Sequence, residues 1–193
     1  VPFSSYWKSW KHRKDKKHIT LRELLAHQSG LQPYIVFLNE VLKKGKLKRR
    51  FARHIKSKRF PNQAYSNIYI NKRFKKKVFR KIKLSKVSGD KTYKYSGLAS
   101  LIYPQLIENI TGITYTTYLQ KNFYRPLGCN TLGYLPMSKG FKNSIVPTEK
   151  DSLFRKTLTK GWVHDENAAL LGGISGNAGL FGTASDLAKL MQM

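Results

Sequence analysis

The sequence predicts an α+β fold in which helices outnumber strands. Apolar residues recur at helical spacing in most of the periodic segments, whereas only "NQAYSNIYIN" (62–71) alternates as a half-buried strand does. Helix start and stop signals also punctuate the chain. Mostly helix with a hint of sheet is the pattern of the helical part of an α+β domain. The 193 residues suffice for one domain with a real core, and 40% hydrophobic content excludes a disordered chain.

The elements follow in order. In "TLRELLAHQSGL" (20–31), Thr20 reads as an N-cap and Glu23 completes a capping box. Leu21, Leu24 and Leu25 supply one apolar face, and Gly30 suits a left-handed C-cap. A second short helix is expected from Ile35 to Leu42. In "KKGKLKRRFARHIKSKRF" (43–60), Leu47, Phe51, Ile55 and Phe60 form a sparse stripe close to helical spacing. "KRFKKKVFRKIKLSKV" (72–87) places Phe74, Val78, Phe79 and Ile82 on one face of a basic amphipathic helix.

"YKYSGLASLIYPQLIENITG" (93–112) reads as a tyrosine-rich turn leading into a long apolar helix that stops at Gly112, with Pro104 kinking or interrupting it. "TYTTYLQKNFYRPLG" (114–128) is another helix, stopped by Pro126 and Gly128. Residues 133–160 lack periodicity and are expected to run over the surface. The last segment, 168–193, is a glycine-rich turn region and then a helix, capped by Thr183 or Ser185 with Asp186 in its first turn.

The formal net charge is +27, from 37 Lys and Arg against 10 Asp and Glu. The excess is local: from Lys43 to Lys94 there are 21 basic residues and one acid, Asp90. Such a stretch suits an anionic polymer, and interleaved Phe51, Phe60, Tyr65, Tyr69 and Phe74 resemble a stacking surface. A solvated basic insertion is the plainer reading. Cys129 stands alone, so no disulfide forms within the chain, and a small buried thiol is expected. No run of about 18 apolar residues is present to span a membrane, and "VPFSSYWKSW" has no signal-peptide core. Both ends read as interior to a longer chain.

Four segments together resemble the serine β-lactamase and penicillin-binding-protein-like family, in its class C and esterase-like branch. They are "LLAHQSGL" (24–31), "YKYSG" (93–97), "YRPLGCNTLGY" (124–134) and "GGISGNAGLFGTASDLAKLM" (172–191). The stretch "PTEKDSLFRKTLTKGWVHDENA" (147–168) is also similar to the branch fused behind a family 3 glycoside hydrolase.

The resemblance implies the helical part of a β-lactamase/transpeptidase-like fold, truncated at both ends, with a basic lid-like insertion at about residues 43–92. It also implies an exported protein. In this family a serine attacks an amide or ester carbonyl and is activated by a lysine one helical turn on, in S-x-x-K, and by a Y-x-N tyrosine. A K-T-G-like strand edge binds the acyl side of the substrate.

By this correspondence Tyr95 is the general acid/base, and Ser96 and Gly97 line the site, with Ser29 and Gly30 shaping its mouth. Gly97 departs from the family's Asn or Asp and can make neither of that residue's hydrogen bonds. Two S-x-x-K patterns occur, Ser5 to Lys8 and Ser88 to Lys91, and neither sits where an apolar helix would begin. No K-T-G-like strand is found, and Asn177, Ala178 and Gly179 read as a structural turn. The chain thus carries the tyrosine wall of a site without its nucleophile, and is expected to be inactive alone.

His27 is expected to be a buried structural histidine. His164, Asp165 and Glu166 form a polar group better suited to helix capping than to metal or acid/base work. His12, His18 and His54 lack metal-site spacing, and no cofactor is implied. The alternatives to a hydrolase fragment are a basic module for an anionic polymer, or a non-catalytic domain attached to a glycoside hydrolase.

Overall fold

The computed structural model describes residues 1–141 and 145–193. Part of the 133–160 stretch, at 142–144, therefore lies outside the described residues. Helices and small sheets mix along the chain, as an α+β fold requires.

The N-terminal segment contributes anchors rather than long elements. Short 3-10 turns at Phe3–Ser5 and Lys8–Trp10 place Phe3, Trp7 and Trp10 in the core, with the Phe3 and Trp10 rings edge to face at 5.1 Å. Lys16 is fully buried, and its ammonium bonds Asp15 and the Ser85 carbonyl just past a helix C-terminus. Helix α1 (Leu21–Leu25) starts with the expected capping box: Glu23 N–H donates to Thr20 Oγ1, and Thr20 N–H to Glu23 Oε2 at 2.7 Å. Only Leu24 of its leucines is buried, and Leu25 stands 63% exposed. Adjacent helical residues point about 100° apart, and Leu25 falls on the solvent side. The helix ends at Ala26, and His27 takes the left-handed position at φ 54°. Gly30, also left-handed, belongs to the next turn, so it does not cap this helix.

Helix α2 is one turn, Leu38–Val41, shorter than the 35–42 expectation. The basic stretch after it is strand and turn, not helix. Strands β1 (Leu42–Lys43) and β2 (Lys46–Leu47) form a hairpin. Strands β3 (Ala52–Arg53), β4 (Asn62–Tyr65) and β5 (Ile68–Ile70) make an antiparallel sheet in the order β3-β5-β4. In place of the one strand expected over 62–71, the last two pair as a hairpin turning at Ser66 and Asn67, with Ala64, Ile68 and Ile70 facing the core. Helix α3 (Phe74–Leu84) buries Phe74, Val78 and Ile82 as its spacing predicts, with Phe79 half-buried against Trp7. Seven buried side chains from Ala52 to Ile82 thus join the main core, alongside Leu98, Ile102 and Leu106.

Pro104 sits at the first turn of helix α4 (Tyr103–Thr111) instead of kinking it, where a missing N–H costs nothing. Gly112 caps it at φ 73°. Helix α5 (Tyr115–Leu119), capped by Thr114, runs into a π turn at Gln120–Tyr124. Beyond it Tyr124, Cys129 and Leu132 form a second small core, and Cys129 is a buried free thiol.

The 133–160 region is more ordered than a surface excursion. Strands β6 (Pro147–Asp151) and β7 (Thr157–Lys160) pair antiparallel. Between them Asp151 accepts from the N–H groups of Leu153, Phe154 and Arg155, and Arg155 Nη1 bridges Asp151 and Glu149. The same guanidinium donates to the carbonyls of Val163 and His164, tying the hairpin to helix α6 (Glu166–Leu170). Helix α7 (Ala184–Met191) is capped by Thr183, not Ser185. Its buried Asp186 accepts from Thr131 N–H and Oγ1, both at 2.7 Å. No helix among the described residues is long and apolar enough to cross a membrane.

Candidate active site

Tyr95 lies in an extended segment between α3 and α4, and the residues that hold it are local. His27 Nδ1 accepts from Ser96 N–H at 3.3 Å, and the His27 carbonyl accepts from Lys94 N–H at 2.8 Å. The His27 ring lies 4.7 Å from the Tyr95 ring and edge-on to Tyr93 at 5.9 Å. His27 is half-buried, not buried as expected, because its role is to brace this exposed aromatic wall. On the other side, Gly97 N–H donates to the Pro33 carbonyl and Ser96 Oγ to the Gln32 carbonyl at 2.7 Å.

So braced, Tyr95 stands 55% exposed on a cavity of about 110 Å³. Tyr95, Gly97, Tyr34, Asp165, Asn167 and Asn177 line it. Of the five expected site residues, Tyr95 and Gly97 meet here. Ser96, Ser29 and Gly30 do not reach the cavity. Ser96 is buried with its hydroxyl turned to Gln32, Ser29 is buried with its hydroxyl toward Leu31 N–H, and Gly30 pairs with Ser88.

Asn167 spends its amide on the Phe37 N–H and the Ile35 carbonyl, which fixes the loop carrying Tyr34. Asp165 N-caps α6 through Ala168 N–H at 2.6 Å, which is the capping role expected of that polar group. Its neighbour His164 pairs with Glu149 at 3.1 Å. Among the described residues no three His, Cys, Asp or Glu side chains gather as a metal site requires. The sequence reading missed Asn177 as a lining residue, because "GNAG" looks like turn chemistry alone. The signal available was its single carboxamide between glycines in a segment already matched to the family.

Neither S-x-x-K pattern has the geometry for catalysis. Ser5 ends one 3-10 turn and Lys8 begins another, with Trp7 outside both, so no helix carries the pair. Ser88 lies outside any helix, with its N–H on the Gly30 carbonyl, and Lys91 is engaged by Glu23 at 3.0 Å.

A larger cavity of about 540 Å³ adjoins the first through Asp165. Its wall is mainly apolar, from Phe141, Val146, Val163, Leu180 and Phe181, with threonine hydroxyls and His164 at intervals. Tyr95 is not on it.

Comparisons with known proteins bear on the family and the fold. Over 193 aligned residues the chain is 30% identical to an N-acetylmuramyl-L-alanine amidase of Bacillus subtilis (strain 168), matching 93% of this chain and 38% of that one. A class C β-lactamase from Rhodobacter sphaeroides superposes with a TM-score of 0.55 at 15% identity, covering 99% of this chain and 42% of the other. A β-lactamase/D-alanine carboxypeptidase from Yersinia pestis gives 0.51 at 20% identity over 92% and 40% of the two chains. The chain spans between a quarter and two fifths of the length of the curated relatives it matches. A family model described as Beta-lactamase matches all of residues 1–193, and the chain belongs to the β-lactamase family.

Proposed function

We propose that residues 1–193 are the tyrosine-bearing part of an exported serine acyl hydrolase acting on a peptidoglycan-related amide, a β-lactam or an ester. The observation that carries this reading is Tyr95 itself, an exposed phenol on a cavity wall, braced by His27 and faced by Asn177. The N-acetylmuramyl-L-alanine amidase relative supports a peptidoglycan-derived substrate.

In this mechanism the Tyr95 phenolate takes the proton of a serine hydroxyl as that oxygen attacks the carbonyl carbon. The same proton passes to the departing amine or alcohol as the bond to it breaks, leaving an acyl-serine. Water then attacks the acyl group and gives up a proton to Tyr95, and that proton passes to the serine oxygen as its bond to the acyl carbon breaks, restoring both the serine and Tyr95 to their starting states. The serine belongs to the longer protein, since neither Ser5 nor Ser88 is placed for it.

The 193 residues alone are therefore expected to be inactive, and turnover of nitrocefin and p-nitrophenyl acetate tests this. Turnover by the isolated chain that Tyr95→Phe abolishes would contradict it. Fusion to a family 3 glycoside hydrolase enters the reading as a proposal on domain organisation, tested by the reading frame flanking residues 1 and 193.

A second reading, an anionic-polymer surface, is favoured by how the cations gather. Arg53 and Arg59 both lie over the Phe60 ring, at 5.4 and 5.7 Å, and Arg50 and Lys77 over Phe51 at 5.2 and 4.3 Å. Retention on heparin should fall steeply with salt and weaken when Lys75, Lys76 and Lys77 are changed to Glu. Unchanged retention would count against this surface.

A further inference from the structure

The volume above Gly97 is bounded by two polar atoms from different segments. A side chain at position 97 would begin 3.6 Å from Tyr95 Oη and 3.8 Å from Asn177 Nδ2. These are ordinary contact distances, so the phenol oxygen and the amide nitrogen face the same small space. That space opens into the 110 Å³ cavity which both residues line. The orientation of the amide is fixed by its other end. The Ser175 hydroxyl, buried at 1% exposure, donates to Asn177 Oδ1 at 2.5 Å. With the carbonyl oxygen so engaged, the NH2 is the end presented to the cavity.

The backbone that carries Asn177 is equally constrained. Gly176 N–H donates to the Ser100 carbonyl at 3.1 Å, and a Cβ at Gly176 would stand 2.6 Å from that oxygen. The Tyr134 hydroxyl donates to the Ser175 carbonyl at 2.9 Å. The "SGNAG" turn is therefore anchored on one side to the segment leading into α4 and on the other to Tyr134. A turn needed only for chain reversal has no use for a carboxamide pinned by its oxygen and aimed inward.

We infer that Asn177 is a substrate-binding residue, whose NH2 donates to the carbonyl of an acyl-amide side chain on the substrate, next to Tyr95. Gly97 leaves the room for it, and the two positions act as one unit: an empty side chain on one wall, a donor supplied from the opposite one. The inference rests on the acyl-hydrolase reading above. It narrows the substrate class to those with a carbonyl acceptor flanking the scissile bond, as acylated peptides and β-lactams with amide side chains have.

The test uses the full-length protein containing these residues, with nitrocefin as the probe. Asn177→Asp keeps the shape and the oxygen that Ser175 bonds but exchanges the donor for an acceptor. It should lower kcat/KM by about tenfold or more, chiefly through KM, with an unchanged melting temperature. Asn177→Ala should lose a similar factor, and adding Gly97→Asn to it should recover most of the loss by supplying a carboxamide from the facing wall. Activity of Asn177→Asp within twofold of the parent overturns the inference, and so does a loss that Gly97→Asn does not recover. A parent without turnover, or one indifferent to Tyr95→Phe, overturns the hydrolase reading itself, and the inference falls with it.

Discussion

Gly30 sits at φ 70°, and a Cβ there would stand 2.3 Å from the Ser88 carbonyl oxygen. Gly30→Ala therefore meets both a left-handed backbone and a clash with main chain. It should cost more than about 2 kcal/mol in chemical denaturation, against about 1 kcal/mol for removing the α1 cap in Thr20→Ala. A Gly30→Ala cost below that of Thr20→Ala would contradict the geometry. The demand for a left-handed glycine was legible in the sequence, but its place was not. The α1 helix ends at Ala26, and His27 directly after it takes the left-handed turn, with its ring against Tyr93 and Tyr95. Tyr95 could be picked out by resemblance and Gly97 beside it by its departure from the family pattern. Asn177 offered only a carboxamide between glycines, because its approach to Gly97, 80 positions away in the sequence, exists only in the folded chain.

Among the elements, α3 was the most legible, because eleven residues give three turns of apolar spacing. Its Ile82 is fully buried, and Ile82→Ala should cost about 2–5 kcal/mol, read from the denaturation midpoint. The strands of 42–53 were not legible, since two-residue strands offer no alternation to detect.

Glu40 on α2 bonds Lys77 and Lys81 on α3, and those ammonium groups hold its carboxyl down to about 2 from an ordinary 4.5. The carboxylate is favoured in the folded state, so its contribution is fully present above about pH 4.5. It is lost as pH falls from there toward about 2. Glu40→Gln should lower the melting temperature at pH 7 and leave it nearly unchanged at pH 2. Equal losses at both values would show that the ion pairs contribute nothing. Added salt should shrink the pH 7 difference.

For the whole molecule, the charge imbalance was plain from composition, while the packing of its bearer was not. The 43–94 stretch reads as a solvated basic surface, yet Ala52, Ala64, Ile70 and Val78 from it lie in the same core as Phe3 and Leu98. The residues that carry charge and those that carry packing alternate there, so sparse apolar positions suffice. The fold class was legible because helix signals are local. The site was only partly so, because it forms where the 93–97 segment, the Pro33–Tyr34 loop, the start of α6 and the "SGNAG" turn converge.

The central claim is that Tyr95 moves the proton in serine acylation. Its most direct test is the acylation rate of the full-length protein by nitrocefin, measured beside Tyr95→Phe at equal foldedness. The expected result is a fall of at least about 100-fold, with the acyl group on a serine other than Ser5 or Ser88. A rate within twofold of the parent, or acyl transfer to either of those serines, would contradict it.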